Sequence, residues 1–358
     1  MKSNIFHITD IFISNDPEYY RIPIIAMLNQ SIFAFANRRM YTHADCAEES
    51  HVVFRRFERG DRSKGDISGV FEEKGWNAPI GTAIVDKKEG IVHLSYYRWW
   101  PVKKSKDFVD HDQGRFIATI KDYGRQCDHT PEIVAPNRKN CRGHSHGASQ
   151  AVTLRYGHKK GRQVVPARFF TKPGEDIKNL QENHYNCALY SDDQGNTWQN
   201  SEPVQVGTGE GCLVELSDGR IYYNSRAYFF DGKRRNGWSY DGGETFTDFG
   251  IDEQLIEPIN GGCNAGMVLY PPELTDGKDI ILFSNPAAET RERMTIRASF
   301  DGGKSWPASK VIHDGPAAYS AMTVADDETI FVLFENGDKH PYERISLASF
   351  KLGWLLEP

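Results

Sequence analysis

Three aspartates recur in one setting. Residues 191–198 read SDDQGNTW, 239–246 read SYDGGETF and 299–306 read SFDGGKSW, all fitting Ser-x-Asp-x-Gly-x-(Ser/Thr)-(Trp/Phe). A carboxylate beside hydroxyls invites a catalytic reading, yet every part of this box suits a tight turn. The Asp accepts hydrogen bonds from the turn's own N–H groups, the Gly supplies a positive φ at little steric cost, and the aromatic ring tucks beneath. Asp193, Asp241 and Asp301 are therefore expected to be structural. A second cluster, CRGHSHGAS at 141–149, sets His144 and His146 two positions apart. A strand would turn both to one side, where they could bind a metal or serve as acid and base. Two imidazoles fall short of the three or four ligands of a zinc site, and a His-rich loop is the plainer reading. The six cysteines, Cys46, Cys127, Cys141, Cys187, Cys212 and Cys263, form no CxxC pair and are expected to be free thiols.

The boxes need a scaffold. Asp193 and Asp241 lie 48 residues apart, Asp241 and Asp301 lie 60 apart, and a degenerate copy, KDYGRQC at 121–127, puts Asp122 71 residues before Asp193. Periods near 50 with several short strands each are the signature of propeller blades. Runs rich in β-branched and aromatic residues then group in threes. YRIPIIAML, SIFAFANRR and HVVFRRF form the first blade; IGTAIVD, GIVHLSYY and GRFIATIKD the second; SQAVTLRYG, RQVVPARFF and YNCALYS the third. CLVELSDG, IYYNSRAYFF and RNGWSYD form the fourth; AGMVLYPP, DIILFSNP and MTIRASFD the fifth; SAMTVAD, TIFVLFEN and ISLASFKLG the sixth. The expectation is an all-β, six-bladed β-propeller with box turns, one domain over 1–358, closed by NIFHITDIF pairing with a terminal blade. Closure leaves no long sheet edge exposed. The stretch 101–149 is read as an excursion over one face.

Composition agrees and excludes some partners. Aromatics make up 12% of the 358 residues, with 32 Gly and 17 Pro, as suits a β-rich chain full of turns. The net charge is -6 with no long basic run, which argues against nucleic acid. No apolar run is long enough to span a bilayer. The opening residues do not read as a signal peptide, which predicts a cytoplasmic protein, or a secreted one if a leader has been removed.

The boxes resemble the Asp boxes of sialidases (neuraminidases). YRIP at 20–23 is similar to the Arg-Ile-Pro motif of exo-sialidases, and the likeness continues in order. FANRR at 35–39 resembles Phe-Ala-x-x-Arg, and GRQVVPARFF at 161–170 a Gly-Arg-Leu-Val-Val-Pro-Ala strand. EGCLVELSDGRIYYNSR at 210–226 resembles the Glu-Cys-Gln-Val-Val-Glu-Leu stretch and the Arg after it. SNPAAETRERMTIRASFDGG at 284–303 is similar to the strand with the last essential Arg, and AAYSAM at 317–322 to the tyrosine segment.

The resemblance implies a retaining exo-sialidase, a glycoside hydrolase that releases terminal sialic acid, or a related nonulosonic acid, from glycoconjugates. It places three arginines, Arg21, Arg226 and Arg291, around the substrate carboxylate; guanidinium suits that task because its planar fork meets a carboxylate bidentately and keeps its proton. Arg293 and Arg297 are rivals for the third place. Arg39 would hold a ring hydroxyl. The implied nucleophile is Tyr319, since an anionic attacker would be repelled by the carboxylate at the anomeric carbon, and sialidases depart in this way from the usual carboxylate. Glu210 would take its proton. Asp45, beside its rivals Glu48 and Glu49, would be the general acid and then the base. No cofactor or metal is implied.

Some positions depart from the family pattern. EGC stands for Glu-Cys-Gln, RRFERGDRSKG replaces a first-blade box, and His144 and His146 are unusual. They keep two other readings open. One is a propeller lyase acting on uronic-acid glycans, with arginine neutralising the carboxylate and a Tyr/His pair as base and acid. The other is a non-catalytic glycan-binding propeller, which would need the arginines but not Asp45, Glu210 and Tyr319.

Overall fold

YRIPIIAML is apolar without alternation, the pattern of a strand buried on both faces. In the computed structural model the strand Glu18–Leu28 is buried along most of its length. The structure describes residues 6–45, 47, 49–61, 64–98, 114–138, 143–145, 150–170 and 180–357. From Glu18–Leu28 the chain steps outward through antiparallel strands Ser31–Met40, Ser50–Glu58 and Ile67–Phe71. The same four-strand meander is repeated by Ile80–Asp86, Ile91–Tyr97, Arg115–Lys121 and Gln126–Pro131. It recurs in Thr208–Glu215, Ile221–Ala227, Lys233–Ser239 and Thr247–Ile256. A fourth small sheet centres on Gln163–Phe170 and His184–Ser191, with Trp198–Asn200, Val134–Ala135, His144–Ser145 and Val152–Thr153 around them.

The remaining sheet has seven strands: Gly266–Tyr270, Ile280–Pro286, Glu292–Ser299, Ala308–Val324, Thr329–Asn336, Arg344–Lys351 and His7–Ile13. Ala308–Val324 joins its halves. Residues up to Pro316 pair with Glu292–Ser299, and those from Ala317 pair with Thr329–Asn336. The fold is all-β, a propeller-like arrangement of four small sheets beside one larger one. His7–Ile13 runs antiparallel to Arg344–Lys351, which brings the two ends of the chain into one sheet as the sequence predicts. The largest apolar cluster gathers the inner strands of the first two small sheets with Ala318, Tyr319 and Ala321.

Two sequence expectations change. Among its described residues the predicted strand SQAVTLRYG survives as Val152–Thr153, because the Glu215 carboxylate takes the amides of Arg155 and Tyr156 at 2.6 and 3.0 Å and draws the backbone off the ladder. The outermost strands were invisible to periodicity; Thr247–Ile256 is largely exposed and lacks an apolar face. Of the stretch 101–149, residues 101–113, 139–142 and 146–149 lie outside the described residues, and the rest contributes Arg115–Lys121, Gln126–Pro131, Val134–Ala135 and His144–Ser145. The four described cysteines are free thiols, while Cys46 and Cys141 lie outside the described residues.

All three boxes close identically. Ser191, Ser239 and Ser299 each accept the amide of the Gly four positions on, at 2.8 Å. Asp193, Asp241 and Asp301 each accept a backbone amide at 2.9–3.0 Å and a Thr or Ser hydroxyl at 2.6 Å. Gly195, Gly243 and Gly303 sit at φ 87, 90 and 87°. Trp198, Phe246 and Trp306 are buried beneath them. At 121–127 no Ser precedes the Asp in register, and Asp122–Gly124 forms a 3₁₀ turn instead. These aspartates fasten hairpins. Asp301→Ala is expected to lower stability by about 1–3 kcal/mol in urea unfolding, with ligand binding of the folded protein unchanged.

Candidate active site

β-Bulges insert unpaired residues and re-aim side chains. Register breaks fall at Arg21/Ile24, at Thr208/Gly211 around Glu210, and at Ala317/Ser320 around Tyr319. Just after Arg21, Ile22 adopts φ 57°. A β-branched residue there is strained and persists only when its surroundings impose it. Glu335 does so: its Oε1 accepts the Ile22 amide and Arg21 Nε, both at 2.8 Å, and its Oε2 accepts the Tyr319 amide at 3.1 Å. Glu335 is fully buried. One carboxylate thus ties the first predicted arginine to the predicted nucleophile across two strands.

The predicted residues converge. The Tyr319 hydroxyl donates to Glu210 Oε1 at 2.6 Å. Arg226 Nη1 donates to that phenol oxygen at 3.0 Å and to Glu210 Oε2 at 2.7 Å. The guanidinium carbons of Arg21 and Arg291 lie 5.7 and 5.6 Å from the centroid of the Tyr319 ring. Arg226 is held from behind, since its Nε donates to Gly261 O at 2.5 Å. Behind that turn, Glu257 accepts Arg234 Nη1 at 2.7 Å and the Ala227 amide at 2.9 Å, all buried.

Arg39 and Arg21 both donate to His43 O, at 2.8 and 2.9 Å. Arg39 also pairs with Asp45 at 2.9 Å. Asp45, 80% exposed, is thereby placed on a loop anchored to two of the arginines. The rivals point elsewhere: Arg293 faces Asp314, Arg297 donates to Asn285, and Glu49 accepts the Gly75 amide. Glu48 and His146 lie outside the described residues, and His144 pairs through its backbone with Arg168 in another sheet. Sequence reasoning missed Glu335 and Tyr342. The only signal for Glu335 was a lone acid at the end of the apolar run TIFVLFEN.

Electrostatics set the protonation states. Burial, then the Glu210 carboxylate, push the Tyr319 phenol well above its ordinary value, against the pull of Arg226 and Arg291. The phenol is therefore neutral at physiological pH and hydrogen-bonded to its acceptor. Burial is the largest influence and would lower Arg21 and Arg226, but Glu335 with Tyr342 and Tyr319 beside the first, and Glu210 with Tyr319 and Tyr228 beside the second, together outweigh it, so both are held charged. Partial desolvation would raise Asp45, yet Arg39 and Arg21 outweigh it and hold its carboxyl below the ordinary range.

The sequence matches the BNR repeat-like domain family over residues 62–332. It is 36% identical over 359 aligned residues, 94% of this chain, to a sialidase of Micromonospora viridifaciens. The chain belongs to the BNR repeat-like domain family, and it is similar to sialidases. It spans 52% of the length of that relative. Among solved structures, the Hadza microbial sialidase Hz136 superposes with a TM-score of 0.76 at 22% identity, covering 94% of this chain and 66% of that one. A leech intramolecular trans-sialidase complexed with 2,7-anhydro-Neu5Ac gives 0.74 at 15% identity, covering 98% and 71%. At these identities the two structures establish the sialidase-like fold. No helix among the described residues is long and apolar enough to cross a membrane.

Two measurements test the site's electrostatics. Glu335→Gln removes the charge opposing buried Arg21 and is expected to cost about 3–5 kcal/mol in chemical unfolding. Arg39→Ala is expected to raise the Asp45 pKa, read by carboxyl carbon NMR. A folded carboxyl depressed below its unfolded value adds stability above the unfolded pKa and loses it as pH falls through the folded one. Because Asp45 is largely exposed, its share of acid unfolding is small.

Proposed function

We propose that the protein is a retaining exo-sialidase that releases a terminal nonulosonic acid from a glycoconjugate through a tyrosine-linked intermediate. The observation that carries this reading is the triangle of Tyr319, Glu210 and Arg226, closed at 2.6, 2.7 and 3.0 Å, with Arg21 and Arg291 flanking the same ring. A neutral nucleophile, a base in contact with it, and clustered fixed positive charge are what attack on a carboxylate-bearing carbon requires.

In this mechanism the substrate carboxylate sits among the three guanidiniums. Tyr319 Oη attacks the anomeric carbon as its proton passes to Glu210, and Arg226 steadies the developing phenolate charge. Asp45 protonates the departing glycosidic oxygen. In the free protein Asp45 is ionised and paired with Arg39, the wrong state for an acid. A bound sugar would take over Arg39 through a ring hydroxyl and shed water from Asp45, and both changes raise its pKa. Asp45, now a base, then takes a proton from the water that attacks the same carbon, the bond to Tyr319 Oη breaks, and Glu210 returns its proton to that oxygen. Two displacements give retention.

The scaffold we propose is six-bladed, the seven-stranded sheet serving as two blades that share the long strand Ala308–Val324. The first 9 residues of that strand, 308–316, would be the outer edge of the fifth blade, and those from 317 the inner strand of the sixth. The lyase reading needs a Tyr/His pair; the partner of Tyr319 here is a glutamate.

A fluorogenic sialoside is expected to release its fluorophore and yield, by proton NMR, the anomer of retained configuration first, with no unsaturated product absorbing in the ultraviolet. Tyr319→Phe is expected to cut turnover by roughly 10³-fold or more while the fold is kept; normal hydrolysis by this variant would remove Tyr319 from its role. Arg21→Ala is expected to weaken binding of free sialic acid by about 10- to 100-fold, the value of a charge-assisted hydrogen bond.

A further inference from the structure

The three arginines of the cluster are not all held alike. Arg21 is fixed by Glu335 and Arg226 by Glu210. Among the described residues no carboxylate lies within ion-pair distance of Arg291; its Nη1 donates to the hydroxyl of Tyr342 at 2.5 Å. The ring of that same tyrosine lies flat against Arg21, its centroid 3.6 Å from the guanidinium carbon. Tyr342 therefore touches two of the three arginines at once, one through its face and one through its hydroxyl. It stands on the turn between Thr329–Asn336 and Arg344–Lys351, packed against His340 at 4.7 Å and His43 at 5.4 Å between ring centroids. His43 is the residue whose carbonyl receives both Arg21 and Arg39.

The chemistry of a phenol suits this place. A carboxylate beside Arg291 would orient it but would also compete with an acidic substrate for its charge. A neutral hydroxyl orients the guanidinium and leaves that charge uncompensated. Burial pushes the Tyr342 phenol up in pKa, against the pull of Arg21 and Arg291, so it stays neutral. Stacking on the flat face of Arg21 likewise leaves the in-plane N–H fork, the part that meets a carboxylate, unobstructed by the ring.

We propose that Tyr342 is the positioning residue of the carboxylate clamp: it sets the spacing of Arg21 and Arg291 without neutralising either, and so tunes the affinity for the acidic group of the substrate. The proposal rests on the sialidase reading above. Its test is calorimetric binding of 2,3-dehydro-N-acetylneuraminic acid and of its C1 amide to the wild type, Tyr342→Phe and Tyr342→Leu. Phe keeps the ring on Arg21 and loses the hydroxyl, and Leu loses both. Binding of the acid is expected to fall roughly 5- to 20-fold in Phe and roughly 50-fold or more in Leu, from one hydrogen bond to a charged group and then the cation–π contact as well. Binding of the amide is expected to change less than 3-fold by roughly the same reasoning, since no anion remains to be gripped. Wild-type affinity for the acid in the Leu variant overturns the proposal, and so does an equal loss for acid and amide, which would mark general damage to the site. If the wild type itself binds neither probe, the sialidase reading falls and this proposal with it; if the wild type binds and only the variants behave otherwise, Tyr342 alone is reassigned.

Discussion

Four guanidiniums in one cluster repel one another, and the architecture of the site is an answer to that repulsion. Arg21, Arg39 and Arg226 are buried or nearly so, and Arg291 stands beside them. Left uncompensated, such charge would either expel the side chains into water or unfold the strands that carry them. Two buried carboxylates prevent this. Glu335 and Glu210 each bond an arginine and Tyr319 together, so charge compensation and placement of the proposed nucleophile are one arrangement. The compensation is incomplete, and that leaves a field ready for an anion.

The scaffold makes this crowding tolerable by bringing each group in on a separate rigid strand. Arg21, Glu210 and Tyr319 come from three strands of three different sheets, each broken in register near that residue. A bulge strains the strand only locally, and the sheets behind it absorb the strain through continuous ladders and apolar burial. The box turns fasten hairpins farther out in three of the ladders, at 191–198, 239–246 and 299–306, and there the aspartates that look catalytic in the sequence serve structure. The proposed acid differs from the rest: Asp45 sits on an exposed loop, ionised and paired with Arg39, and under the proposed mechanism its environment would be set by the ligand more than by the fold.

The inner strands and the box turns were legible because both are local. Burial on two faces writes an unbroken apolar run, as in YRIPIIAML, and positive φ writes glycine at fixed offsets from Ser and Asp. The family likeness supplied the order of Arg21, Asp45, Glu210, Arg226, Arg291 and Tyr319. The outer strand Thr247–Ile256 was illegible because solvent on most of its surface imposes no apolar period. SQAVTLRYG read as a strand because propensity is blind to Glu215, which captures its amides from another sheet.

What the sequence determined by itself is the set of chemical groups and the local turns and strands that carry them, since those depend on neighbours within a few residues. What tertiary structure decided is who meets whom. Arg21 and Glu335 touch across 314 positions of chain, and Tyr342 reaches Arg291 across 51. No short-range pattern encodes such contacts. They follow from the angle at which each sheet presents its inner strand, and that angle is fixed only when all the sheets pack together.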